Sequence, residues 1–224
     1  MLFVEARFFL FIALVFAFYW SLRVNFHRKV LLLGASYFFY GCWDWRFAIM
    51  LFAISLADYF FARAMADCKI IGRKKLLVTL SVVMNMGVLC YFKYFNFFAD
   101  SFVGLCNAMG FHASHVTINV ILPVGVSFFT FQALSYTIDV YRGTIKPARL
   151  VVDYLLSSSF FPQLVAGPIV RPAFFLPQLA RRREFPLEEV RPLLALFFLG
   201  FLKKACLADN ISPYVDRIFA DPHA

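Results

Sequence analysis

The sequence predicts an all-α polytopic membrane protein, and three observations carry that prediction. Of its 224 residues, 62% are hydrophobic, 20% are aromatic and only 16% are charged. The mean hydropathy is +0.75. Apolar runs that approach the length needed to cross a hydrocarbon core of about 30 Å recur along the chain, separated by short basic loops. An average soluble domain is about half apolar and a quarter charged, so a water-soluble globular enzyme is excluded. So are a polar disordered chain and a disulfide-stapled secreted module.

Taken in order, residues 1–20 form the first candidate span, closed by Tyr19 and Trp20 at an interfacial aromatic belt. Glu5 and Arg7 replace the basic start of a signal peptide, and no small-residue cleavage site follows, so the span is expected to be retained. Residues 21–29 read as a polar loop with Arg23, His27, Arg28 and Lys29. Residues 30–42 are a short apolar run, with Arg28 and Lys29 able to snorkel at one end and Trp43 and Trp45 to anchor the other. Trp43-Asp44-Trp45-Arg46 reads as a tight turn. Residues 47–62 form the next span, interrupted by Asp58, and a basic loop follows at 63–75.

Residues 76–92 read as a clean apolar span. Residues 94–109 form a weaker segment because of Asn96, Asp100 and Asn107. Residues 118–140 are long enough to cross, with Pro123 and Gly125 near the start. Residues 151–170 are apolar but broken by three serines, Pro162, Gly167 and Pro168. Broken backbone at membrane depth is tolerated only inside protein or beside a wet cavity, so this stretch reads as re-entrant or as a broken helix. Residues 171–189 are polar and proline-rich, 190–207 form the last span, and 208–224 form a polar tail.

Charge orders these segments. Lys and Arg number 22 against 13 acids, a net charge of +9. The positives cluster at 23–29, 63–75, 142–149 and 171–183. All four clusters share the cytoplasmic side if segments 94–109 and 151–170 do not cross fully. The fold expectation is therefore about six transmembrane helices plus two partial or re-entrant segments, in a single membrane domain over 1–224. The excess charge then needs no nucleic-acid partner, and no basic run is interleaved with aromatics in a polar context. The five cysteines are odd in number and widely spaced, so neither a zinc site nor a disulfide framework is expected.

Two stretches concentrate polar groups in apolar surroundings. The first runs from Leu122 to Gly143 and places Thr130, Gln132, Ser135 and Tyr136 on an apolar helix. Such groups favour the protein interior or a wet cavity. The plainer reading is interhelical hydrogen bonding, and the residues alone favour it over a substrate pocket. The second stretch is Phe160-Phe161-Pro162-Gln163-Leu164-Val165-Ala166-Gly167-Pro168-Ile169-Val170-Arg171, where two prolines free backbone carbonyls that then need partners.

Both stretches, with Ala35–Arg46 and Tyr91-Phe92-Lys93-Tyr94-Phe95, resemble the membrane-bound O-acyltransferase family in its alginate O-acetyltransferase branch. The resemblance covers nearly the whole chain and implies an incomplete version of that helical fold, its N-terminal portion. It implies transfer of an acetyl group from a cytoplasmic thioester, acetyl-CoA, towards an extracytoplasmic polysaccharide such as alginate. A multi-pass protein of a bacterial inner membrane is implied too. Its partners would be membrane lipids, polysaccharide-acetylation proteins and the C-terminal half of the enzyme. Tunnel-lining or substrate-lining candidates are Gln132, Ser135, Tyr136, Gly167 and Pro168.

The family's catalytic histidine lies in an apolar helix beside a tryptophan, in the half that would follow Ala224. His27, His112, His115 and His223 do not match that context, so the catalytic role is assigned to none of them. The chain alone is expected to be inactive. A catalytically inactive scaffold fragment is the alternative, and a transporter, which would call for an inverted repeat, is a weaker one. Asp58 is expected to pair with Arg63, and Asp139 with Arg142. Arg181-Arg182-Arg183 could meet anionic lipid heads or the phosphates of a CoA donor, but a positive-inside anchor is the simpler reading.

Overall fold

The computed structural model describes residues 5–110, 121–164, 167–182, 184–185 and 187–220. Every regular element among them is helical: α1 (Ala6–Ser21), α2 (Asn25–Gly41), α3 (Trp45–Asp67), α4 (Ile71–Ala108), α5 (Val126–Arg142), α6 (Val151–Ser159), α7 (Phe161–Leu164), α8 (Pro172–Ala180), α9 (Val190–Leu202) and α10 (Asp209–Ala220). Two of them, α3 and α4, are long and apolar enough to cross a membrane, and α1 is a shorter apolar helix. The chain divides into two compact units, Ser21–Arg181 and Met1–Trp20 with Arg182–Ala224.

In the larger unit, helix direction alternates, and two apolar clusters show it. One joins Tyr40, Leu51, Ile54, Leu89, Val126, Phe129 and Leu164. The other joins Tyr59, Ala62, Met65, Tyr136, Val140, Ala148 and Tyr154. Both α3 and α5 run from the first cluster to the second. α4 runs back, because Leu77 and Val78 pack on the second cluster and Leu89 lies in the first. α2 also ends in the first cluster, at Tyr40.

The turns follow from local chemistry. Asp44 caps α3 by accepting a 2.8 Å hydrogen bond from the Arg46 amide, so the turn expected at 43–46 is shorter, with Trp45 and Arg46 already in the helix. Gly125, at φ +77°, begins α5 where Pro123 and Gly125 were expected to loosen it. The helix therefore starts at Val126, and 118–120 lie outside the described residues. Gly143, also left-handed, ends α5.

The stretch 151–170 is broken as expected. α6 stops at Ser159, Phe160 leaves the helix at φ −55° and ψ 111°, and α7 adds a single turn. Asp153 of α6 and both ends of α8, Pro172 and Ala180, line one cleft.

Several expectations need correction. Residues 21–29 are not all loop, since α2 begins at Asn25. Arg28 and Lys29 are buried because Arg28 donates to the Leu22 carbonyl at 2.8 Å and Lys29 pairs with Asp153 at 2.6 Å. Segments 76–92 and 94–109 are one helix of 38 residues. Asn96, Asp100 and Asn107 are all exposed, so continuing the helix buries none of them. The polar 171–189 stretch contains α8, opened by Pro172 in its first turn, where the missing amide proton costs nothing.

In the smaller unit, Phe9 of α1 meets Phe197 and Phe201 edge-on at 6.3 and 5.5 Å, and Trp20 meets Phe185 at 4.9 Å. α9 passes through a π-helical stretch, Lys203–Ala208, into α10. The tail after residue 207 is thus helical to Ala220, and Lys204 pairs with Asp209 at the join.

Candidate functional site

Between the two apolar clusters of the larger unit lies a polar layer. α3 supplies Ser55 and Asp58, between Ile54 and Tyr59. α4 supplies Ser81 and Asn85, α5 supplies Thr130 and Gln132, and α6 supplies Ser157 and Ser158. All eight are buried. Uncompensated polar groups would be costly there, so the pairing pattern is informative.

At the helix break, the amide of Gln132 donates to the Ser157 carbonyl at 2.7 Å. Gln163 donates to the same carbonyl at 3.0 Å. These two carboxamides satisfy a carbonyl near the C-terminal end of α6, where the intrahelical partners run out. The amide of Phe161, just past the break, donates to Ser36 Oγ on α2 at 3.2 Å. Ser158 Oγ donates to Ser55 Oγ at 2.9 Å and ties α6 to α3. Tyr40 OH donates to the Val124 carbonyl at 2.8 Å, fixing the turn that leads into α5. The first and second polar stretches therefore meet through Gln132, Ser157 and Gln163.

The break is also close-packed. A Cβ on Gly125 would lie 2.5 Å from the Leu164 carbonyl oxygen. A Cβ on Gly167 would lie 2.5 Å from Gln163 Cα. Gly167 is thus set against the residue that holds the break, while Pro168 is exposed. Val165 and Ala166 lie outside the described residues.

Ser135 donates back to the Gln132 carbonyl at 2.8 Å, a bond within its own helix. Tyr136 faces the other way. Its ring stacks on Tyr154 with centroids 4.2 Å apart, and its hydroxyl accepts the Ala148 amide at 3.0 Å. Of the sequence candidates, Gln132 and Gly167 lie at the break, Ser135 bonds within α5, Tyr136 secures the 143–149 loop, and Pro168 is exposed.

Asp58 does not pair with Arg63. Its carboxyl accepts from Ser81 Oγ at 2.6 Å and from Asn85 Nδ2 at 3.0 and 2.9 Å. Ser81 and Asn85 are one helical turn apart on α4 and face Asp58 together. Sequence reasoning missed both, because they sit in a run that reads as cleanly apolar. Their four-residue spacing was the available signal. Asp139 and Arg142 form no ion pair.

Thr130, Tyr154 and Ser157 carry buried hydroxyls with no hydrogen-bond partner among the described residues. Chemically, the layer offers amides and hydroxyls, and its one carboxyl group is already held by three bonds. Among the described residues no histidine joins it. His27 is exposed on α2, and His112, His115 and His223 lie outside the described residues. Arg181 and Arg182 are exposed just past α8, and Arg183 lies outside the described residues.

A protein of Azotobacter vinelandii named "Probable alginate O-acetylase AlgI" is 35% identical over 95% of this chain. The chain is similar to proteins named alginate O-acetylase over most of its own length. The protein of the same name from Pseudomonas aeruginosa is 32% identical over 87% of the chain. A peptidoglycan O-acetyltransferase of Helicobacter pylori is 29% identical over 84% of it. The match covers 42%, 37% and 40% of these relatives, so the chain spans about two fifths of the O-acetylase length. No family profile and no solved structure matches the chain.

Proposed function

We propose that this chain is the N-terminal portion of a membrane-bound polysaccharide O-acetyltransferase of the alginate O-acetylase type. The observation that carries the reading is the 35% identity over 95% of the chain, with the two polar stretches interlocked at a buried break. In this reading the protein sits in a bacterial inner membrane with about six crossings, its basic loops cytoplasmic.

The geometry supports one common side for those loops. The ends of α3 and α5, and the starts of α2, α4 and α6, all lie at the second apolar cluster or its bordering Lys29–Asp153 pair. They carry Arg63 to Lys75, Arg142 to Arg149, and Arg23 to Lys29. The opposite end holds Arg46 and Lys93 and little other positive charge.

The reaction is acetyl transfer from acetyl-CoA at the cytoplasmic face to an acceptor hydroxyl on the other side. A base removes the hydroxyl proton, and donors stabilise the tetrahedral oxyanion. The base comes from the part of the relatives' length that this chain does not cover, not from His27. Gln132 and Gly167 border the acetyl path at the break, with Ser135 beside them. Tyr136 holds the cytoplasmic loop.

The test is complementation. The gene carrying this sequence is placed in an alginate producer that lacks its own O-acetylase, and acetyl groups on the secreted polymer are counted by proton NMR. Restored acetylation supports the reading. Bare alginate, with the protein present in the membrane and the Azotobacter relative active in the same strain, overturns it.

A further inference from the structure

A cleft of about 510 Å³ opens between the 145–149 loop and α8. Its walls are largely apolar, with Pro172, Leu176 and Pro177 on one side. Lys146, Arg149 and Asp153 supply its charge. Asp153 is already neutralised, because Lys29 Nζ lies 2.6 Å from its carboxyl. Lys146 and Arg149 are exposed, and neither has an acidic partner among the described residues. The cleft therefore carries two uncompensated positive charges above an apolar wall.

The loop that carries them is held in place. Ala148 N donates to Tyr136 OH at 3.0 Å, and Tyr59 OH donates to the Arg149 carbonyl at 3.3 Å. Ala148 itself is buried in the second apolar cluster, against which Ile145 and Leu176 pack. The two cations thus project from a fixed backbone, so little ordering is needed when an anion arrives.

We propose that this cleft binds the phosphate group of an anionic amphiphile. Arg149 offers a planar fork that matches two phosphate oxygens, and Lys146 adds a point charge. The volume lies within the ~300–1,000 Å³ range of small-ligand sites and exceeds what one phosphate needs. The apolar wall suits a chain attached to that phosphate better than a free ion. Two sources share this chemistry. One is an anionic phospholipid of the leaflet that borders the basic loops. The other is the phosphate-bearing end of the acyl donor, an arm that rests on the acetyltransferase reading. The lipid arm does not depend on it.

The test is binding, not turnover. The full chain is placed in phosphatidylcholine nanodiscs and titrated in separate arms with phosphatidylglycerol and with coenzyme A. Lys146→Gln/Arg149→Gln is compared with Lys69→Gln/Arg73→Gln, which removes equal charge from exposed positions outside the cleft. Ala173→Trp fills the cleft without changing charge. The expected result is saturable binding in at least one arm, weakened about tenfold or more by the cleft pair and by Ala173→Trp but not by the outside pair. The arm that responds identifies the source. No saturable binding in either arm, or equal effects of the two charge pairs, overturns the proposal. Failure of polysaccharide acetylation with the lipid arm intact would sink the acetyltransferase reading alone.

Discussion

Asn85 gives its side-chain amide to both carboxyl oxygens of Asp58, at 3.0 and 2.9 Å, across the α3–α4 interface. Ser81 reaches the same carboxyl from one turn earlier, and Asp58 is fully buried. Two side chains, through three bonds, thus hold one acid between two apolar clusters. Asn85→Leu removes two of these bonds and strands the carboxyl, at a cost of about 2–3 kcal/mol. Asp58→Leu/Asn85→Leu removes both partners and should recover much of that loss. Thermal unfolding of the detergent-solubilised chain checks the order: single variant lowest, double variant intermediate.

The same logic applies to Lys29 and Asp153, whose side chains are only 10% and 14% exposed. Lys29→Met leaves Asp153 without its cation and should destabilise by about 3 kcal/mol. Lys29→Met/Asp153→Leu should sit closer to the parent. Unfolding measured at low and high salt should give the same ranking, because a shielded pair is screened little.

Gly125 and Gly34 make a matched contrast. Gly125 is left-handed at φ +77°, with the Leu164 carbonyl where a Cβ would stand. Gly125→Ala should therefore lose at least ~1–2 kcal/mol from the backbone alone, with the clash added. A Cβ on Gly34 meets nothing within 4 Å, so Gly34→Ala should be neutral or slightly stabilising. Comparing the two melting temperatures checks the claim that the break is close-packed against the start of α5.

Tyr136→Phe removes the acceptor of the buried Ala148 amide while keeping the ring stacked on Tyr154. The expected cost is about 1–2 kcal/mol, felt mainly in the loop. Amide hydrogen exchange should accelerate at Ala148 and its neighbours, with α3 and α4 unchanged. Uniform acceleration across the helices would argue against a local role.

Much of this architecture was legible in the sequence because the signals were local. Pro162, Gly167 and Pro168 announced the break and Trp43-Asp44-Trp45 the turn before α3, whereas α5 starts only at Val126, inside the 118–140 run that reads as one span. Gln132 stood out as a polar residue in apolar company, but its meeting with Gln163 at the Ser157 carbonyl did not. What stayed hidden depends on distant partners. Lys29 looks like a loop residue until Asp153, more than a hundred positions away, draws it inside. Asp58 has Arg63 nearby in sequence, yet its donors come from the next helix. The length of α4 was masked by Asn96 and Asp100, whose exposure a linear hydropathy reading does not reveal.

The proposal to be tested is that this chain helps pass acetyl groups from the cytoplasmic face to polysaccharide on the other side. Inside-out membrane vesicles carrying the protein as its gene encodes it, loaded with alginate in the lumen, test it most directly. Acetyl-CoA labelled in the acetyl group is added outside, where the basic loops would face. The account predicts label in the luminal alginate, and less of it when Gly125→Ala disturbs the break. Label that never reaches the polymer, while the Azotobacter relative transfers it in parallel vesicles, would contradict the account.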